Sequence, residues 1–236
     1  SGQISLSFYL TITIVHSTVS VRVQPANQML QTTSRNQLTQ ANIPLFIAFL
    51  AFIAVGMPGG ILNIAWVYMD DTFHVSYGSL GVVLGAATGG HLISSFLSGR
   101  IITKYGLANA LISASLLMGT GAIGFVLTPS WTLLLLAAFL AGFGGGILDS
   151  SLNSFVSTHY SVGQLNWLHA FFGVGLAIGP LLVSFWIDLL DKNWRWPYGI
   201  VAILQLILLS LLITTRHRWT IPDETEEVQD TLSPEH

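Results

Sequence analysis

Gly59-Gly60-Ile61-Leu62-Asn63 and Gly145-Gly146-Ile147-Leu148-Asp149 are near-copies of one another, 86 residues apart from Gly59 to Gly145. Each lies inside a long apolar run, and the second ends on the one acidic residue set deep within such a run. Over half of the 236 residues are hydrophobic and only 8% are charged. Charge is absent between Arg35 and Asp70, Asp71 and Arg100, Lys104 and Asp149, Asp149 and Asp188, and Arg195 and Arg216. A membrane-spanning helix needs roughly 20 mainly apolar residues. The charge-free intervals therefore predict six spans, at about 44–69, 77–98, 107–127, 131–156, 165–188 and 196–215. The fold class expected is an all-α membrane protein with its bundle over residues 43–216.

An offset of 86 residues lays spans 1–3 on spans 4–6, so Gly59-Gly60 meets Gly145-Gly146 and Gly89 meets Gly175. Three spans is an odd number, so the second copy inserts upside down relative to the first. The expectation is two inverted three-helix repeats, an architecture common among transporters.

Helical spacing sorts the polar residues. Gly142, Gly146, Asp149 and Asn153 step by four, three and four and share one face of span 4. Asn166, His169, Gly173, Ala177 and Pro180 align in the same way on span 5, and Gly78, Gly81, Gly85 and Gly89 form a small-residue ridge on span 2. Such a ridge lets neighbouring backbones approach closely. An ionisable group in hydrocarbon is costly and marks a functional site by default. Asp149 is therefore the leading substrate- or proton-binding residue, with Asn153, Asn63, His169 and Asn166 as polar partners and Trp66 as a stacking surface. The competing structural reading makes Asp149 a buried group bonded to Asn63 or to serines, holding the repeats together. His91 lies off the glycine ridge and reads as a packing residue. Trp131, Trp194 and Trp219 read as anchors at the membrane interface.

Residues 1–42 read as a polar cytoplasmic tail, rich in Gln, Asn, Thr and Ser over 24–42. Residues 217–236 read as an acidic cytoplasmic tail or the start of a central loop. Lys and Arg favour cytoplasmic loops. With both termini inside, six basic residues (Arg22, Arg35, Arg100, Lys104, Arg216, Arg218) lie on the cytoplasmic side and two (Lys192, Arg195) outside. There is no cysteine, hence no disulfide or thiolate chemistry. No nucleotide-binding loop or metal-ligand cluster occurs, no cofactor is implied, and nothing points to nucleic acid. Serines 150, 151 and 154 with His159 and His169 admit an intramembrane hydrolase, but no Gly-x-Ser-Gly turn accompanies them.

Three stretches carry a resemblance. Ala141-Gly142-Phe143-Gly144-Gly145-Gly146-Ile147-Leu148-Asp149 continues to Asn153-Ser154-Phe155; Leu165-Asn166-Trp167-Leu168-His169-Ala170-Phe171-Phe172-Gly173 leads to Gly179-Pro180; and Trp194-Arg195-Trp196-Pro197-Tyr198 precedes the last span. Over about residues 45–219 the chain resembles the major facilitator superfamily, specifically its fucose-permease-like sugar permeases. The resemblance implies a secondary transporter, or its N-terminal half, moving a small polar solute across the plasma membrane, with proton symport possible through Asp149. It implies a gating loop at Gly99, Arg100, Lys104 and Gly106, although Thr103 stands where the family carries Asp. It also implies an acidic partner on helix 1, where Asn63 stands. Members have twelve helices and this chain supplies six. The implied partners are the lipid bilayer and either a C-terminal six-helix half or a second copy of the chain. A non-transporting half-length regulatory or binding subunit is the alternative.

Overall fold

The computed structural model describes residues 8–15, 18–189 and 193–220. It divides into two units, residues 1–45 and 46–236. In the first, the alternating β-branched residues of β1 (Phe8–Val15) and β2 (Thr18–Pro25) pair as an antiparallel hairpin, Val15 opposite Thr18. A helix begins at Ala26, within the polar stretch 24–42.

Six helices follow the spans closely: α1 (Ala26–Phe73), α2 (Leu80–Tyr105), α3 (Leu107–Leu127), α4 (Trp131–His159), α5 (Val162–Leu189) and α6 (Arg195–Thr214). Each contains a stretch long and apolar enough to cross a membrane; in α1 it is Asn42–Phe73. The ends are set by local chemistry. Past α1, His74 takes a left-handed conformation (φ 53°) while the Val75 amide returns to the Asp70 carbonyl. Ahead of α5, the Ser161 amide donates to Gln164 Oε1 and the Gln164 amide to Ser161 Oγ, a reciprocal cap. Gly106 alone joins α2 to α3, at φ 81°. Pro58 and Pro180 sit within continuous helices.

The inverted repeat is visible in how helices cross. A Cβ on Gly56 or Gly60 of α1 would strike the backbone of α5 at the Phe172 and Leu176 carbonyls. A Cβ on Gly142 or Gly146 of α4, each 86 residues on, would strike α2 at the Ala87 and His91 carbonyls. From the other side, Gly175 of α5 abuts the Ile53 carbonyl and Gly90 of α2 the Phe139 carbonyl, again 86 residues apart. The crossings of α1 with α5 and of α4 with α2 are thus the same interaction made twice. They also correct the alignment of the outer helices: Gly90, not Gly89, is the counterpart of Gly175, an offset of 85. The third helices meet each other. Gly119 and Gln205, 86 residues apart, touch, with Cβ positions 3.5 Å apart if Gly119 carried one. Residues equivalent under a two-fold operation can touch only near its axis, so the pseudo-two-fold axis passes between α3 and α6. Buried Ser115 donates to Gln205 Oε1 there, at 3.2 Å.

The core lies among α1, α3, α4 and α6, around Ile61, Trp66, Leu134 and Tyr198. Coverage is uneven. In α1, 61% of the most apolar window is buried, against 17% in the span containing α2 and 22% in that of α5. The glycine ridge of α2 is on the uncovered side: a Cβ at Gly81, Gly85 or Gly89 would meet nothing within 4 Å. The ridge therefore packs against no other helix among the described residues.

Candidate solute site at the crossing of α2 and α4

The stripe Gly142, Gly146, Asp149 and Asn153 faces α2. Two absent side chains let the α2 backbone settle against α4 at Ala87 and His91. That close approach brings the side chains of the next turn together. His91 Nε2 lies 3.8 Å from Asp149 Oδ2, within reach of an ion pair when the imidazole is protonated and too long for a hydrogen bond. Asn153 Nδ2 donates to Asp149 Oδ1 at 3.1 Å, one turn along the same helix. Ser95 Oγ donates to the Gly146 carbonyl at 3.5 Å, tying the two helices at this level, while Ser94 Oγ turns back within α2 to the His91 carbonyl at 3.0 Å. Asn153 Oδ1 is buried and has no hydrogen-bond partner among the described residues.

Asp149 and His91 are each about one-third exposed, at 32% and 38%. The carboxylate is thus partly accessible. The pair presents a carboxylate and an imidazole side by side, both able to hydrogen-bond a polar group. His91 is the functional candidate that sequence reasoning assigned to packing; its position opposite Asp149 depends on the register of α2 against α4.

The other candidates scatter. No hydrogen bond joins Asn63 to Asp149 among the described residues, and Asn63 stands exposed on α1. Trp66 requires correction as a stacking surface. It is wholly buried, donates Nε1–H to the Tyr77 carbonyl at 2.9 Å and packs against Trp131, so no ring face is free for a solute. Asn166 and His169 are exposed on α5, the His169 ring meeting Phe52 edge-on. Gly99, Arg100 and Lys104 do not form a loop: α2 continues through them to Tyr105, and Gly106 alone makes the turn. Trp194 and Trp219 are buried in protein and bond Thr72 and Thr215, so neither is an exposed interface anchor. Among the described residues no group of three or more His, Asp or Glu is arranged to hold a metal ion.

A cavity of about 340 Å3 opens between α1, α2 and α4 and reaches α3 and α6. His91 is part of its wall, so the cavity and the polar cluster adjoin.

Comparison with known proteins agrees with this architecture. Residues 45–234 match the Major Facilitator Superfamily. The glucose/mannose transporter GlcP of Bacillus subtilis is 27% identical over 165 residues, 68% of this chain and 41% of that protein. Multidrug resistance protein D of Escherichia coli is 25% identical over 76% of this chain and 45% of its own length. Among solved structures, the partially occluded, inward-open xylose transporter XylE of E. coli superposes with a TM-score of 0.60 at 16% identity, covering 81% of this chain and 52% of that one. The chain thus spans about half, or less, of each of these proteins. Six apolar helices, two inverted repeats and a match over most of the sequence lead to one assignment: the chain is an integral membrane protein of the Major Facilitator Superfamily, a family of transporters and not of enzymes.

Proposed function

We propose that this chain forms one half of a secondary transporter for a small, sugar-like polar solute, coupled to a proton carried by Asp149 with His91. The observation that carries the coupling is the cluster of His91, Asp149 and Asn153, where a carboxylate in a membrane helix faces an imidazole across a gap of 3.8 Å. The helices packed on α4 place their other charges near their ends: α3 has no ionisable side chain in its apolar run, α2 contributes His91 and then Arg100 and Lys104 near its end, α5 contributes His169 and then Asp188 near its end, and α1 contributes Asp70 and Asp71 near its end. The named substrates of GlcP and XylE support the sugar-like class.

Solute sites in this family's architecture lie at the interface of repeats. The partner in this reading is a second six-helix half, or a second copy, seated on α2 and α5. What supports it is their low coverage and the unmet glycines of α2. The reading includes a plasma-membrane location with both termini cytoplasmic and Gly99 to Gly106 as part of the gate.

The test is uptake of labelled hexose into proteoliposomes across pH, for wild type, Asp149→Asn and His91→Gln. Asp149→Asn should abolish accumulation driven by a pH gradient while leaving exchange of preloaded solute. His91→Gln should shift the pH dependence. Unchanged uptake with unchanged pH dependence in both variants refutes the coupling role. Solute binding without any uptake by the assembled protein would favour the non-transporting subunit.

A further inference from the structure

Past the end of α6 the chain stays against the bundle. Arg216–Arg218 makes a single tight turn packed on α3, and Trp219 then turns back into protein, only 2% exposed. Its Nε1–H donates to Thr215 Oγ1 at 3.0 Å, and that hydroxyl donates to the Leu211 carbonyl at 2.6 Å. Its ring meets that of Phe155 on α4, with centroids 4.9 Å apart. A tryptophan that only marked a membrane interface would keep its N–H toward water and its ring toward lipid. Here both are engaged inside the protein, which fixes the indole in one orientation.

Phe155 lies on the far side of α4 from the polar cluster. It follows Asn153 by two residues, a rotation of about 200° around the helix. Asp149 and Asn153 therefore look toward α2 while Phe155 looks toward the indole, with Leu148, Ser151 and Leu152 buried on its side. Toward α2 the close approach is at Gly142 and Gly146, where no side chain intervenes. Along the axis from Gly146, Asp149 stands about 4.5 Å away and Phe155 about 13 Å away. A rigid α4 pivoting at Gly146 thus carries Asp149 by about 1 Å for every 3 Å or so at Phe155. The 3.8 Å separation of Asp149 from His91 tolerates little such movement.

We infer that Trp219 is a positioning residue for the Asp149 cluster, a buttress from the segment after α6 that holds the end of α4 toward α2 through Phe155. Use of the cluster by a solute rests on the function proposed above; the buttress rests on the packing alone. It gives the chain beyond α6 a route to the site. Whatever displaces Trp219 loosens Asp149 from His91 without touching either.

The chain has no cysteine, so Thr103→Cys and Thr158→Cys take two spin labels without competition. Both positions are exposed, near the ends of α2 and α4. Double electron–electron resonance on the full chain in phosphatidylcholine nanodiscs measures their separation, alongside equilibrium binding of D-glucose to the unlabelled chain. Trp219→Ala should lengthen the separation by about 3–4 Å, a displacement of about 3 Å at Phe155 scaled to residue 158. It should weaken D-glucose by about fivefold, the loss of one hydrogen bond. Trp219→Phe keeps a ring against Phe155 and should leave the separation as in wild type and the affinity within about twofold. Trp219→Leu, which fills part of the indole's volume, should give a smaller displacement of the same sign and is read instead if Trp219→Ala does not fold. A lower unfolding midpoint with separation and affinity unchanged is the result of a purely structural tryptophan and overturns the inference. A longer separation with wild-type binding in both Trp219→Ala and Asp149→Asn upholds the buttress and overturns the solute role of the cluster. A longer separation with binding lost in Asp149→Asn but intact in Trp219→Ala overturns the positioning role and leaves that of the cluster. A wild type that binds no D-glucose overturns the sugar reading, and the separation alone then decides the buttress.

Discussion

Two adjacent glycines on α2 make opposite predictions. A Cβ on Gly90 would press on the Phe139 carbonyl oxygen, with the Phe143 amide nitrogen at 3.0 Å and the Phe139 carbonyl carbon at 3.3 Å. All three are backbone atoms and cannot turn aside, so α2 and α4 must separate by a sizeable fraction of an ångström along their crossing. Overpacking of this kind costs about 1–3 kcal/mol. A Cβ on Gly89 meets nothing within 4 Å. Both substitutions gain the same helix propensity, about 1 kcal/mol for alanine over glycine, so that gain cancels in the comparison. Gly89→Ala should therefore be more stable than Gly90→Ala by about 1–3 kcal/mol. At about 2–4 °C per kcal/mol for a chain of this size, the midpoints should differ by roughly 2–12 °C. Thermal unfolding in nanodiscs, followed by tryptophan fluorescence, measures the difference. Gly175→Ala, where the Cβ would press on the Ile53 carbonyl, should behave as Gly90→Ala does. Equal midpoints for the α2 pair, or Gly89→Ala the less stable, would refute both the α2–α4 register and the one-residue shift between the repeats.

Ser115→Ala strands the buried Gln205 amide oxygen and should cost about 1–3 kcal/mol, while the double variant with Gln205→Leu should recover part of that loss in a double-mutant cycle. Trp66→Phe removes the donor to the Tyr77 carbonyl and should lower the unfolding midpoint by a few degrees, about 1 kcal/mol, with no loss of solute binding. Arg195→Leu frees the Thr128 carbonyl, which Arg195 Nη2 now reaches at 2.8 Å. Amide exchange in the turn between α3 and α4 should accelerate as a result, and an unchanged rate would show that the bond contributes nothing there.

Sequence alone exposed the six helices because long runs lack charge, as from Asp71 to Arg100 and from Arg195 to Arg216, while α3, α4 and α5, with no charge at their joints, had to be divided by length. The equivalence of Asn63 with Asp149 was legible for a related reason, since the repeated Gly-Gly-Ile-Leu stretch keeps its spacing within helices. What one sequence does not contain is the register of one helix against another. Pairing His91 with Asp149 required knowing that Gly146 meets the His91 carbonyl, and no periodicity on α2 singles that residue out. The alignment of Gly89 with Gly175 failed by one residue because the segment joining α1 to α2 differs in length from the one joining α4 to α5. Trp66 looked like a sugar platform because helical spacing says which residues share a face and not which face looks outward.

The turn at Gly106 has a mechanical consequence. A single residue separates the end of α2 at Tyr105 from the start of α3 at Leu107, whereas five residues, 190–194, separate α5 from α6. If the outer helices tilt during a transport cycle, α2 cannot swing at that end without dragging the first turn of α3 with it. Two repeats of one design thus differ at this joint, and the coupling of α2 to α3 through one residue is something that any rocking motion of this half would inherit.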